Sequence, residues 1–324
     1  MQPPSSQENG PHPFRFSAAM PPVGPSAPAW RAELRRIEDL GFSSVTISEH
    51  LTRGWVMEAL VTMTAAVCAT SVLRVLSLVL ANDYRHPVLL HKALATLDVL
   101  SGGRLEVGLG AGWMPSDYEA AGIPLDQPGL RVERLAESVD VIKGLFGPRP
   151  LTYHGKHYKI TELDGLPKPV QAPHPPLLIG GGGRRVLELA GEVADIAGIN
   201  ASMRSGGRGS ALLDLTEERV AAKLSTVRAA ARTAGRDPRQ LRYQMSILSL
   251  RVTDVPGAQP WTSSLAAEVA DPDVLAGSPA VLHGSVGYCV ETLQRRREQL
   301  GLDYIQFGGD LTAAAPIVSR LAGT

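Results

Sequence analysis

Three groups of residues in this 324-residue chain have types and spacing suited to chemistry. His50 stands two residues beyond a run over 44–48 that reads as a strand, directly after Glu49. An unperturbed imidazole titrates near pH 6.5, so one held at a strand end suits proton transfer near neutrality. A lone histidine is more often structural. Glu49 orients it only if both side chains reach the same side, which strand alternation argues against. The second group is Gly180-Gly181-Gly182-Gly183, set between an apolar strand and a helix that opens with Arg184-Arg185. Unhindered backbone N–H groups at a helix N-terminus bind phosphate or another anion. The third is Gly108-Leu109-Gly110-Ala111-Gly112-Trp113. Trp113 stands where a dinucleotide fingerprint needs its third glycine, so a Rossmann reading is weak. These glycines make either a tight turn or backbone that comes close to a flat ring.

Other features carry less. No GxxxxGK[ST], HExxH or GxSxG motif occurs. His154 and His157 form HxxH with no carboxylate or cysteine beside them in sequence to complete a metal set, and read as surface histidines. Arg295-Arg296-Arg297 reads as a solvated helix face, and Cys68 and Cys289 as buried free thiols of a reducing cytoplasm.

The elements that must position these residues alternate. Strands are predicted near 14–19, 44–48, 73–80, 105–109, 177–179, 195–199, 243–250 and 304–307. Helices lie between them, near 30–40, 58–70, 88–100, 130–146, from 184, 216–234, 285–300 and 313–321, with a short one near 265–270. Eight strand–helix units averaging ~40 residues imply a parallel sheet closed into a (β/α)8 TIM barrel, with an open doubly wound sheet as the lesser alternative. Both His50 and the four-glycine loop then sit on the catalytic, C-terminal face. The first 13 residues read as a loose tail and 14–324 as one domain. Insertions fall at about 148–176, 200–215 and 251–284, the first containing a hairpin around Tyr153 to Tyr158.

Composition bounds the function. Lys plus Arg and Asp plus Glu are 32 each, so formal charge is zero, which argues against a nucleic-acid binder or a polybasic membrane-surface protein. Hydrophobic residues make up 44%, enough for a large core. Uncharged stretches such as 59–73 fall short of the ~18 residues a spanning helix needs. The first 13 residues lack the apolar core of a signal peptide. A cytoplasmic enzyme is the resulting expectation.

Several short motifs occur together in one order: Tyr84-Arg85-His86-Pro87, Ala95-Thr96-Leu97-Asp98, Leu100-Ser101-Gly102-Gly103-Arg104, the Gly108 to Trp113 run, and Leu178-Ile179 before the four glycines. With them the chain resembles the bacterial-luciferase-like superfamily, specifically its coenzyme F420-dependent oxidoreductase branch, over about residues 14–321. The resemblance implies a TIM barrel holding a deazaflavin, or alternatively FMN, at the strand C-termini. It implies that His50, in Ser48-Glu49-His50, is the acid–base residue and also touches the cofactor. It places a non-proline cis peptide at Leu78-Val79 behind the ring, Ala111 and Gly112 near the ring's side chain, and Gly180, Gly181, Gly182 and Gly183 at the phosphate. Trp113 stands where sugar-phosphate dehydrogenases of the branch carry a Glu, and Trp55 lies one residue further from the histidine than their Trp. An apolar, partly aromatic pocket including Trp55 and Trp113 is therefore expected. Its substrate would be a small molecule or peptide with an activated C=C, C=N or carbonyl group. A homodimer is also implied. A reduced-FMN monooxygenase and a flavin-binding protein without catalysis are the competing readings.

Overall fold

Side-chain alternation along the strands sorts the apolar residues into two cores. In β1 (Arg15–Ala19), Phe16 and Ala18 join the large cluster shared with the surrounding helices, whereas Arg15 faces Glu106 and Tyr304 inside. A separate small cluster of Leu76, Leu178, Ile196 and Tyr304, with Leu78 and Val79 against it, fills the interior. This is the arrangement of a barrel whose strands are covered on one side by helices and plugged on the other.

The computed structural model describes residues 12–22, 24–52, 54, 57–202, 213–263 and 277–324. The barrel strands are β1, β2 (Ser44–Ile47), β3 (Arg74–Ser77) continued by β4 (Leu80–Ala81), β5 (Leu105–Gly110), β8 (Leu177–Gly181), β9 (Ile196–Ile199), β10 (Arg242–Ile247) and β14 (Leu302–Phe307). Each pairs in parallel with its neighbour, β3 and β4 pair with β5, and β14 returns to β1, so the sheet closes. The helices are α1 (Ala27–Asp39), α2 (Ala59–Ala69), α3 (Pro87–Ser101), α4 (Pro115–Ala121), α5 (Pro128–Phe146), α6 (Arg184–Val193), α7 (Glu217–Thr233), α8 (Val286–Leu300) and α9 (Leu311–Leu321). The expected TIM barrel is what the chain forms. Two smaller sheets interrupt it. One is an antiparallel hairpin of β6 (Leu151–His154) and β7 (Lys159–Leu163). In the other, β11 (Ser249–Val252) pairs with β12 (Trp261–Thr262) and β13 (Val281–Gly284).

Several expectations need correction. The run over 73–80 is not one strand, because the Leu78-Val79 peptide is cis and separates β3 from β4. The run over 243–250 divides at Leu248 into a barrel strand and an edge of the small sheet. Cys68 is exposed, since it faces outward on α2; only Cys289 is buried, and burial pushes its thiol up to about 11. Arg296 is buried rather than solvated, because its guanidinium donates to the carbonyls of Ser278, Pro279 and Val281. The short helix near 265–270 and residues 1–11 of the tail lie outside the described residues. Among the described residues, no helix is long and apolar enough to cross a membrane, and no cluster has the ligands for a metal.

The N-terminal end of the barrel is closed by charge. Glu106 is fully buried, with Arg15 Nη2 at 2.5 Å and Arg74 Nε at 2.9 Å from its Oε1. The Tyr304 hydroxyl donates to Oε2 at 2.8 Å and lies 2.6 Å from Ser44 Oγ. Burial pushes the Glu106 carboxyl up, but the two guanidiniums outweigh it and hold the group below the ordinary glutamate range. The stabilisation is therefore present above about pH 4.3 and lost as pH falls through the depressed folded value. Glu106→Ala strands two guanidiniums and should cost about 3–5 kcal/mol at pH 7, read from urea unfolding. A shift below about 1 kcal/mol would mean the network is dispensable.

Candidate active site

The C-terminal ends of β4, β5, β8, β9 and β10 surround a cavity of about 320 Å³, within the ~300–1,000 Å³ usual for small-molecule sites. One wall is made of glycines packed against Val79. A Cβ on Gly110 would lie 2.6 Å from Val79 Cγ2, and one on Gly180 would lie 2.8 Å from Val79 Cγ1. Gly108 is tighter still, with Ser77 O at 1.8 Å from any added Cβ. Gly108 and Gly110 thus lie inside β5 because Val79 and the β3 backbone leave no room, which removes the tight turn as one of the two readings of these glycines. Only Gly112, with φ of +74°, makes a turn, and there the Tyr118 hydroxyl occupies the space.

His50 and Trp113 border the same cavity, their rings edge to face with centroids 5.7 Å apart. Ala111, Gly112, Leu78 and Val79 also line it, as do all four of Gly180 to Gly183. Trp55 lies outside the described residues.

The partner of His50 is Asp117, not Glu49. Asp117 Oδ2 lies 2.7 Å from His50 Nδ1 and accepts from the Tyr84 hydroxyl at 3.2 Å. Its Oδ1 accepts from Thr52 Oγ1 at 2.6 Å and from the amides of Thr52 and Leu51 at 3.0 and 3.2 Å. Burial pushes this carboxyl up, but hydrogen bonds from Thr52, His50 and the Leu51 amide outweigh it and hold it below the usual aspartate range. An ionised carboxylate has no proton to give, so the His50 bond requires Nδ1–H, and Nε2 becomes the nitrogen that can take up or release a proton. Glu49 points elsewhere, accepting from the Ala81 amide at 3.0 Å and from Arg85.

Sequence reading missed Asp117 because it missed α4, whose seven residues show too little periodicity. The readable signals were Pro115 at its first position and Gly122, with φ of +66°, after its last. Gln244 and Ser246 also line the cavity and were not anticipated, since a barrel strand gives no hint of which polar residues face its mouth.

The four glycines play different parts. Gly181 lies against Val186, with a Cβ falling 2.7 Å from its side chain. At Gly182 a Cβ would meet the backbone of Asn200, Ala201 and Ser202 at 2.3–2.4 Å. Gly183 has open space and an ordinary φ of −81°, and precedes a helix with neither a side-chain cap nor an acidic first turn. Gly182→Ala is therefore expected to destabilise by about 1–3 kcal/mol while Gly183→Ala unfolds within about 0.5 kcal/mol of wild type, in urea titrations. Equal midpoints for the two variants would contradict this assignment.

Comparison with known proteins is consistent with this architecture. An FMNH2-dependent dimethylsulfone monooxygenase from Pseudomonas putida is 33% identical over 131 residues, 40% of this chain and 36% of the relative. An F420-dependent glucose-6-phosphate dehydrogenase from Microbacterium testaceum is 29% identical over 165 residues, 49% of this chain and 48% of the relative. The chain thus matches less than half the length of either. The F420-dependent tetrahydromethanopterin reductase of Methanopyrus kandleri superposes with a TM-score of 0.73 at 18% identity, covering 95% of this chain and 97% of its own, which shows a shared fold. Residues 12–253 match the family described as luciferase-like monooxygenase, and the chain belongs to that family.

Proposed function

We propose that the protein is an oxidoreductase that moves a hydride between coenzyme F420 and a small organic substrate or peptide bearing an activated C=C, C=N or carbonyl group. The observation that carries this reading is the His50–Asp117 pair at the rim of a cavity with a wall of glycines packed on Val79. Hydride arriving at such a bond leaves a centre that must also gain a proton, and oxidation of an alcohol needs the reverse. His50, which lines the cavity, would give or take that proton through Nε2, while Asp117 holds the ring and its tautomer.

The residues present fit the cofactor. Gly110 and Gly180 leave the space that Val79 fills, so a flat ring would rest on the Val79 side chain and the glycine backbone beside it, all of which line the cavity. Leu78, Val79, Ala111 and Gly112 would hold the ring system, and the loop from Gly181 to Gly183 would take the phosphate. When bound, F420 supplies two electrons as hydride and activates oxygen poorly, so the protein's part is position and protonation. The likeness to an FMNH2-dependent monooxygenase favours a second reading, a reduced-FMN monooxygenase on the same wall.

Titrating apo protein with F420 and with FMN, followed by cofactor fluorescence, separates the two. Tight F420 binding and weak FMN binding are expected. Copurification with FMN and oxygen consumption during turnover would replace the first reading with the second. His50→Ala should lower turnover about 10²–10⁴-fold while the glycine-rich loop still binds cofactor. Full activity in that variant would return His50 to a structural role.

A further inference from the structure

Beneath the four-glycine loop lies a lysine that the proposed chemistry does not use. Lys223, on α7, is 7% exposed at its side chain. Its Nζ lies 3.0 Å from the Gly182 carbonyl, 3.0 Å from the Asn200 carbonyl and 2.5 Å from Asp214 Oδ2. An ammonium has three N–H donors, so these acceptors use them all and leave none for a ligand. Burying an ammonium is costly, and a methionine would fill much the same volume, so packing does not explain the choice.

We propose that Lys223 is a positioning residue that sets the glycine loop for a phosphate-bearing cofactor. The argument is geometric. The Gly182-Gly183 peptide is trans, since the cis bonds of the described residues lie elsewhere. In a trans peptide the carbonyl and the N–H point in opposite directions. Lys223 draws the Gly182 carbonyl toward α7, and this turns the Gly183 N–H away from α7, toward the side where Gly182 and Gly183 border the cavity. The second bond, to Asn200, holds the β9 end against the loop, where Asn200 N already donates to Gly181 O at 3.1 Å. Asp214 completes the latch, as its Oδ2 also accepts from the Ser202 amide at 2.8 Å. The contacts at Gly182 explain why no side chain is tolerated there: the latch presses the two backbone segments together.

This inference rests on the phosphate assignment proposed for the loop, and its test separates the two. Wild type and Lys223→Met are titrated with F420 and with its phosphate-free riboside, which carries the same deazaflavin ring. Lys223→Met should weaken F420 about tenfold or more while changing the riboside by less than about twofold. Equal weakening of both ligands, or of neither, overturns the proposal. If wild type binds neither deazaflavin, the F420 reading fails and FMN and riboflavin replace them in the same comparison. If Lys223→Met does not fold, Lys223→Gln keeps a neutral donor at shorter reach and is held to the same criterion. Lys223→Arg, which restores a cation beneath the loop, should recover part of the selectivity for the phosphate-bearing ligand.

Discussion

Between β3–β4 and the neighbouring strands β5 and β8 there is room for one side chain, that of Val79. Its two methyl groups take the space in which Gly110 and Gly180 would otherwise place a Cβ, and the Ser77 carbonyl takes that of Gly108. Glycine inside a strand costs about 0.5–1 kcal/mol relative to alanine, so three facing one valine are not a default of barrel design. Ser77 Oγ offsets part of that cost, accepting from the Gly108 amide at 2.8 Å and donating to its carbonyl at 3.0 Å. Val79 fills the space these glycines leave, and it lines the cavity together with Gly110 and Gly180. Any flat ligand there meets valine methyls and peptide planes on that side.

The interior of the barrel is graded from one end to the other. Ionised Glu106 with Arg15 and Arg74 closes the N-terminal end, and Leu76, Leu178 and Ile196 form an apolar layer above. Gln244 and Ser246 then face the cavity at the C-terminal end. Charges can be buried at the closed end because each has its partners, and the apolar layer separates that network from the mouth. A barrel made rigid at one end can leave the other open, and here the open end holds every candidate site residue that the structure describes.

The barrel was largely legible because parallel strands covered on both faces read as apolar runs at regular spacing. Breaks in regularity were not legible in hydropathy, although the family resemblance placed the Leu78-Val79 cis peptide where the structure has it. The divisions at Leu78-Val79 and at Leu248 leave no mark on hydropathy, so two runs were each read as one strand. His50 and the four glycines could be found because a polar or hinge-like residue at a strand end stands out. The residues that act through them could not. Asp117 is 67 positions from His50 on a helix too short to show a period, and Lys223 is 41 positions from Gly182 on a helix face that reads like any other. Arg296 shows the same limit, since a run of three arginines looks solvated until the carbonyls it serves are placed around it.

The two adjacent carboxyl-bearing segments around His50 divide their labour through sterics. Glu49 and His50 are neighbours in sequence, yet the Glu49 carboxylate is committed to the Ala81 amide and to Arg85, on the side of β4. Were it also the partner of His50, the ring would have to share an acceptor already holding a guanidinium. Asp117 arrives instead from the segment after β5 and collects donors from His50, Leu51, Thr52 and Tyr84. A single buried carboxylate thereby ties together the segments that follow β2, β4 and β5. The proton on His50 Nδ1 is consequently fixed by three parts of the chain rather than one. A shift in any of them reaches the imidazole through Asp117, so the orientation of the ring is a property of the barrel mouth as a whole and not of the β2 loop alone.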